Sequence, residues 1–180
     1  MKIRRLVTGH DASGNSVFVS DDLTPRACSF PSIPGHGMAQ VWATDSLPHI
    51  SAKTDDPTAA NPSLIPPVGG TSIALFDFPP DEVMQDPTAP EKAFGELAAA
   101  LPGLFECFEA DAPGMHATPT VDYGIILEGE LWLELDNGEE RLVKAGDVVV
   151  QNGTRHAWRN KSKRIARALF VMIGAEVSGR

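Results

Sequence analysis

Gly146-Asp147-Val148-Val149-Val150-Gln151, continued by Asn152-Gly153-Thr154-Arg155-His156, is the stretch on which the reading of this chain turns. Lys144 to Asp147 has the composition of a turn and the three valines that of a buried strand. Asn152-Gly153 then makes a second turn, after which His156 begins the next strand. Two tight turns so close together return His156 to the interior of a barrel. Working outward, β-prone runs recur at short intervals: Leu104–Glu109, Val121–Leu127, Leu131–Leu135, Arg141–Val143, Val148–Gln151, His156–Asn160 and Ala166–Ile173. Asp136-Asn137-Gly138 reads as the reversal of a hairpin between the third and fourth of these. The pattern predicts an all-β jelly roll or barrel rather than βαβ units.

Upstream the organisation is looser. Short β-prone runs at 3–8 and 16–20 flank the turn-forming Asp11-Ala12-Ser13-Gly14-Asn15 and predict an opening hairpin. From Thr24 to Gly70 prolines and glycines dominate and only Met38–Thr44 has strand character. Gly69-Gly70 lead into a further strand at Thr71–Phe78, and Pro79 to Pro90 reads as a loop. Glu91–Leu101 has helix-forming composition with an acid at its start, and is the one convincing helix. The chain therefore divides into 1–103, an extension whose strands add to the barrel and which carries the short helix, and 104–180, the barrel core. Together they form one structural domain.

Over residues 104–180 the motifs resemble the cupins, a family whose two short motifs bring three histidines and a glutamate to one metal inside the barrel. The second motif is the stretch quoted above with Asn160 four residues after His156; it lacks the family's proline before the glycine and is one residue short in that turn. In the first motif, Tyr123-Gly124-Ile125-Ile126-Leu127-Glu128-Gly129-Glu130 is a good match, and Asp122, seven residues before Gly129, stands where the family has glutamate. His116 takes the first histidine position and Thr118 the second, so one imidazole is absent and the acid is shorter by a methylene. The resemblance implies an all-β double-stranded β-helix with an N-terminal β/loop extension. It also implies a reduced site of His116, Asp122 and His156, both as catalytic residues and as ligands of a divalent metal (Fe, Mn, Zn or Ni). His116, Thr118 and Asp122 share strand parity, and Thr118, Gly124 and Ile126 are expected to line the substrate pocket. Two imidazoles and a carboxylate are the donor types of non-haem iron and catalytic zinc sites. The alternative is a metal-free pocket, in which a histidine paired with a carboxylate serves as acid and base.

Composition narrows the partners. The chain has 180 residues, 42% of them hydrophobic, and 15 basic against 24 acidic side chains, a formal charge of −9. An acidic surface repels phosphate backbones and anionic membranes, so neither nucleic acid nor membrane is expected as a partner. No apolar run reaches membrane-spanning length, the charged start breaks before an apolar segment forms, and Cys28 and Cys107 lack redox or zinc spacing. A cytoplasmic protein follows as the expectation, and by family resemblance a homodimer. His10, His36 and His49 lie in loop-like sequence and read as surface residues, with His36 or His49 the donor if the N-terminal half completes the site. Trp42, Trp132 and Trp158 read as packing residues, and Arg155 and Arg159 as solvated neighbours of His156 able to clamp a carboxylate. The leading expectation is an enzyme acting on a small carboxylic or aromatic metabolite as dioxygenase, decarboxylase or lyase. Against it stand a non-catalytic small-molecule-binding or sensing cupin and a metal-free lyase or isomerase.

Overall fold

Both turns of the deciding stretch close locally. Gly146 takes φ 93° and Gly153 φ 59°, and the first turn is pinned by Asp147, whose carboxylate accepts the Lys144 N–H at 2.8 Å while its own N–H donates to the Lys144 carbonyl at 2.9 Å. The computed structural model describes residues 1–45, 47–50 and 55–178. In chain order the elements are β1 Arg4–His10, β2 Ser16–Leu23, β3 Arg26–Ser29, β4 Gly37–Thr44, β5 Thr71–Phe78, α1 Asp81–Gln85 and α2 Pro90–Ala100. They continue with β6 Thr120–Glu128, β7 Glu130–Glu134, β8 Glu140–Lys144, β9 Val148–Asn152, β10 Ala157–Arg159 and β11 Ala166–Gly174.

The chain is an all-β jelly roll. Antiparallel ladders order β3-β4-β5-β11-β6-β9 into one sheet and β10-β7-β8 into a second, with β1-β2 a separate hairpin. Burial along β6 alternates, with Thr120, Asp122, Gly124 and Ile126 buried, the period of two that a half-buried strand requires. Ile126 of β6 and Ala166 and Ala168 of β11 meet Leu131 of β7 and Val143 of β8 in one core between the two sheets. A second core gathers Phe30, Met38, Leu64, Ala74 and Phe76 beneath Ala93 of α2 and Leu101. Strands from the N-terminal half are thus continuous with the large sheet through the β5–β11 ladder.

Several elements depart from expectation. Leu104–Glu109 is not a strand: the Leu104 and Phe105 N–H groups both donate to the Leu101 carbonyl, at 3.1 and 2.7 Å, and Phe105–Cys107 is a 3₁₀ turn. The end of α2 satisfies those donors locally, so no ladder forms. The loop expected over Thr24–Gly70 contains β3, which pairs with β4; residues 46 and 51–54 of that loop lie outside the described residues. The Pro79–Pro90 loop includes the single helical turn α1. Among the described residues no helix is long and apolar enough to cross a membrane.

Candidate functional site

His116 and His156 are brought together by backbone pairing. They form an isolated antiparallel bridge in which each N–H donates to the other's carbonyl at 2.9 Å, and their rings lie 4.3 Å apart between centroids. His116 Nδ1 sits 3.1 Å from the Gly114 carbonyl and His156 Nδ1 2.9 Å from that of Thr154. A carbonyl has no proton to offer, so each Nδ1 carries the hydrogen and each Nε2 carries the lone pair. Burial lowers the pKa of both imidazoles; at His156, burial and then repulsion from His116 push it down to about 4, against a smaller upward pull from the Thr154 carbonyl. Both rings are therefore neutral bases near neutral pH.

Asp122 faces the same space from β6. Its Oδ1 is buried without a hydrogen-bond partner, and burial raises its pKa, opposed by the hydroxyls of Thr120 and Thr118. Those two hydroxyls bond each other at 2.7 Å. Gln151 lies opposite Asp122 on β9, and its Nε2 is likewise buried and unpaired. A buried carboxyl without a cation favours its neutral form, which has a proton to donate.

His116, Thr118, Asp122 and His156 line one cavity of about 640 Å³, within the size range of small-molecule sites. Its walls are aromatic: Phe76, Phe78, Phe170 and Trp158 come from the barrel, and Phe105 and Phe108 from the segment between α2 and β6. Trp158 and Phe170, centroids 5.4 Å apart, close the floor. Of the three residues expected at the substrate pocket, Thr118 is at the cavity wall and Gly124 and Ile126 are not. Strand parity turns both inward, yet a Cβ on Gly124 would lie 3.0 Å from the Phe170 ring, so that ring covers it, and Ile126 belongs to the core beyond. Arg155 forks onto Glu109 with two bonds of 2.7 Å and reaches Asp136 at 2.8 Å. Arg159 bonds Glu134 and the Pro113 carbonyl. The two arginines thus tie the segment carrying Glu109 and Pro113 to the barrel.

The resemblance implies a metal at His116, Asp122 and His156. Among the described residues, however, no three His, Cys, Asp or Glu side chains are grouped so that they could hold one ion. The second histidine position is Thr118, its hydroxyl engaged by Thr120. The residues present do not make a three-ligand centre.

His36, expected at the surface, is 6% exposed. It stacks on Phe30 at 4.6 Å between centroids, places Nδ1 2.7 Å from the Asp77 carbonyl and lines the cavity. Its neighbours Pro34, Gly35 and Gly37 carry a loop signature, and nothing local signals that Phe30 and β5 fold over it. His10 and His49 are exposed.

Comparison with known proteins places this geometry in a family. The model of the cupin domain family, Cupin_2, matches residues 106–172. The chain is 33% identical over 186 aligned positions to the phomopsin biosynthesis cluster protein C' of Diaporthe leptostromiformis, covering 98% of this chain and 82% of that protein. It is 30% identical to the cupin-domain-containing oxidoreductase srdB of Neurospora crassa, covering 94% and 72%. Oryzines biosynthesis cluster protein J of Aspergillus oryzae is 55% identical over 65 residues, a match spanning 36% of each chain. The shared barrel, the two motifs around Asp122 and His156, and relatives that align along nearly the whole length make this chain a member of the cupin superfamily, of the cupin-2 type.

Proposed function

We propose that this cupin is an enzyme of small-molecule metabolism that moves a proton on a largely apolar, aromatic-bearing substrate. The observation that carries the reading is that the bare Nε2 atoms of His116 and His156 and the unpartnered carboxyl oxygen of Asp122 belong to residues lining one aromatic cavity. In the step proposed, an Nε2 lone pair takes a proton from the carbon next to a carbonyl, and the electron pair moves onto the carbonyl oxygen. Asp122, in the protonated form that burial favours, donates its hydrogen to that oxygen. The enol so formed returns to the ketone, or to its isomer, when the imidazolium gives its proton to carbon and the Asp122 carboxylate takes back the hydroxyl proton. Phe76, Phe78 and Phe170 hold the apolar body of the substrate and exclude water, which strengthens both interactions.

A second reading draws on the relatives. The Neurospora crassa relative is named an oxidoreductase, and an imidazole with its hydrogen on Nδ1 and a bare Nε2 is also the form that binds divalent transition metals. With only two such nitrogens grouped, the proton-transfer reading stands ahead of it.

The test is deuterium incorporation from D₂O into benzylacetone, an aromatic ketone, followed by proton NMR with and without a chelator. Saturable exchange that survives chelation and falls by roughly a hundredfold in His156→Ala is expected. Exchange no faster than in buffer sinks the proton-transfer reading. Stoichiometric metal in the purified protein, lost in both His116→Ala and His156→Ala, establishes the second reading instead.

A further inference from the structure

The polar groups of the cavity fall into two sets at different levels of the large sheet. Asp122 pairs with Met172 on β11, and Met172 pairs with Ser72 on β5. His36 bonds the carbonyl of Asp77, which pairs with Arg167 near the other end of the same ladder. Ser72 and Asp77 are five residues apart on one strand, about 16 Å at the usual rise. Phe76 of β5 and Phe170 of β11 line the cavity between these levels, and Phe78, one residue past Asp77, lines it at the far one.

At the far level the hydrogen-bonding groups that face the cavity are His36, Asn160 and Asp81. Asn160 is used up: its amide donates to the carbonyls of Phe78 and Arg164, both at 2.7 Å, and its oxygen accepts from Ser162. Asp81 Oδ1 accepts the Asn160 N–H at 2.7 Å. His36 spends its Nδ1 hydrogen on Asp77, and its Nε2 lone pair has no partner among the described residues. The ring cannot turn away, because the Phe30 stack and the Asp77 bond hold it from two sides. A lone pair fixed in an aromatic wall is a recognition element for a hydrogen-bond donor, since leaving it unmatched costs the binding of any polar group that fails to donate.

We infer that His36 is a specificity-determining residue whose Nε2 accepts a hydrogen bond from a hydroxyl group at the far end of an elongated aromatic substrate. This rests on the reading above in one respect: the other end of that substrate is the carbonyl presented to His116, His156 and Asp122. The ligand class is a hydroxyaryl ketone or aldehyde, with its hydroxyl remote from the reacting carbon.

Calorimetric titration of the wild type with benzylacetone, its para-hydroxy derivative and its para-methoxy derivative tests the inference. The hydroxy compound is expected to bind about five- to tenfold more tightly than either of the others, the range of one net hydrogen bond. In His36→Asn, whose side-chain amide still reaches toward the Asp77 carbonyl, the ratio of affinities among the three compounds is expected to fall to about one, whatever the change in affinity common to all three. Equal affinity for all three compounds in the wild type overturns the inference without any variant, and a preference that survives His36→Asn does the same. A preference for the hydroxy compound without deuterium exchange leaves the His36 subsite standing and removes the proton-transfer reading. Exchange without the preference does the reverse.

Discussion

Replacing Asn160 with alanine tests the joint between the end of β5 and the turn that follows β10. Asn160 is 2% exposed, and its side chain makes four hydrogen bonds: two from Nδ2, to the Phe78 and Arg164 carbonyls, and two to Oδ1, from the Ser162 N–H and hydroxyl. Each contributes about 1 kcal/mol net when made, and a buried group left without its partner costs about 1–3 kcal/mol. Ser162 and Arg164 lie at the surface side of this turn, so water replaces the lost contacts there. The Phe78 carbonyl, at the end of β5 beside the cavity, is less easily served. The variant is therefore expected to lose about 2–3 kcal/mol, which for a domain of this size lowers Tm by about 5–10 °C. Asn160→Asp keeps the acceptor for Ser162 but sets a carboxylate oxygen against two carbonyls, so at neutral pH it is expected to be no more stable than the alanine variant. Ser162→Ala, which loses only contacts water can replace, is expected to cost under about 1 kcal/mol. Thermal melting by circular dichroism and urea unfolding measure all three. An Asn160→Ala protein within about 0.5 kcal/mol of the wild type refutes the assignment of this side chain as a buried structural bridge.

Two further predictions concern the cavity itself. With the folded His156 pKa near 4 and the ordinary value 6.5, the unfolded chain takes up a proton that the folded one refuses. The stability His156 gives is thus complete above about pH 6.5 and is lost as the pH falls toward 4, by about 3 kcal/mol. The raised pKa of Asp122 acts in the opposite sense, so the signature is the difference between wild type and His156→Gln in urea unfolding across that window. Parallel slopes for the two proteins would count against the buried neutral imidazole. Gly124→Val, a change that ordinarily favours a strand, is expected instead to destabilise by about 1–3 kcal/mol, because its Cβ meets Phe170 Cε1 at 3.0 Å and Cδ1 at 3.2 Å. A raised Tm in that variant would show that Phe170 does not rest on Gly124.

Much of the barrel was legible in sequence because its signals are local. The strand read over Val121–Leu127 and found at Thr120–Glu128, the Asp136-Asn137-Gly138 reversal, where Asn137 takes φ 59°, and the turns at Gly146 and Gly153 are properties of a few adjacent residues, and each formed at or within a residue of where it was read. So did the strand at Thr71–Phe78 and, one residue earlier at each end, the helix read over Glu91–Leu101 and found at Pro90–Ala100. The strand expected at Leu104–Glu109 failed because the end of α2 captured its backbone donors, a competition invisible in the residues of the run alone.

The candidate site divides along the same line. The two motifs pointed to His116, Asp122 and His156, because the spacing of turns and the parity of β6 are written in the chain. Which inward residues reach open space was decided in three dimensions. Gly124 and Ile126 share the parity of Asp122, but the rings of Phe170 and Trp158, drawn from other strands, cover the floor above them. His36 looked like a loop histidine until Phe30 stacked on it and the β5 carbonyl of Asp77 oriented it, contacts that cross 6 and 41 positions of sequence. Local hydrogen bonding and side-chain alternation are encoded by neighbours and can be read from them. Burial, tautomer and the walls of a cavity are set by residues distant in sequence, and only the packed sheets bring those together.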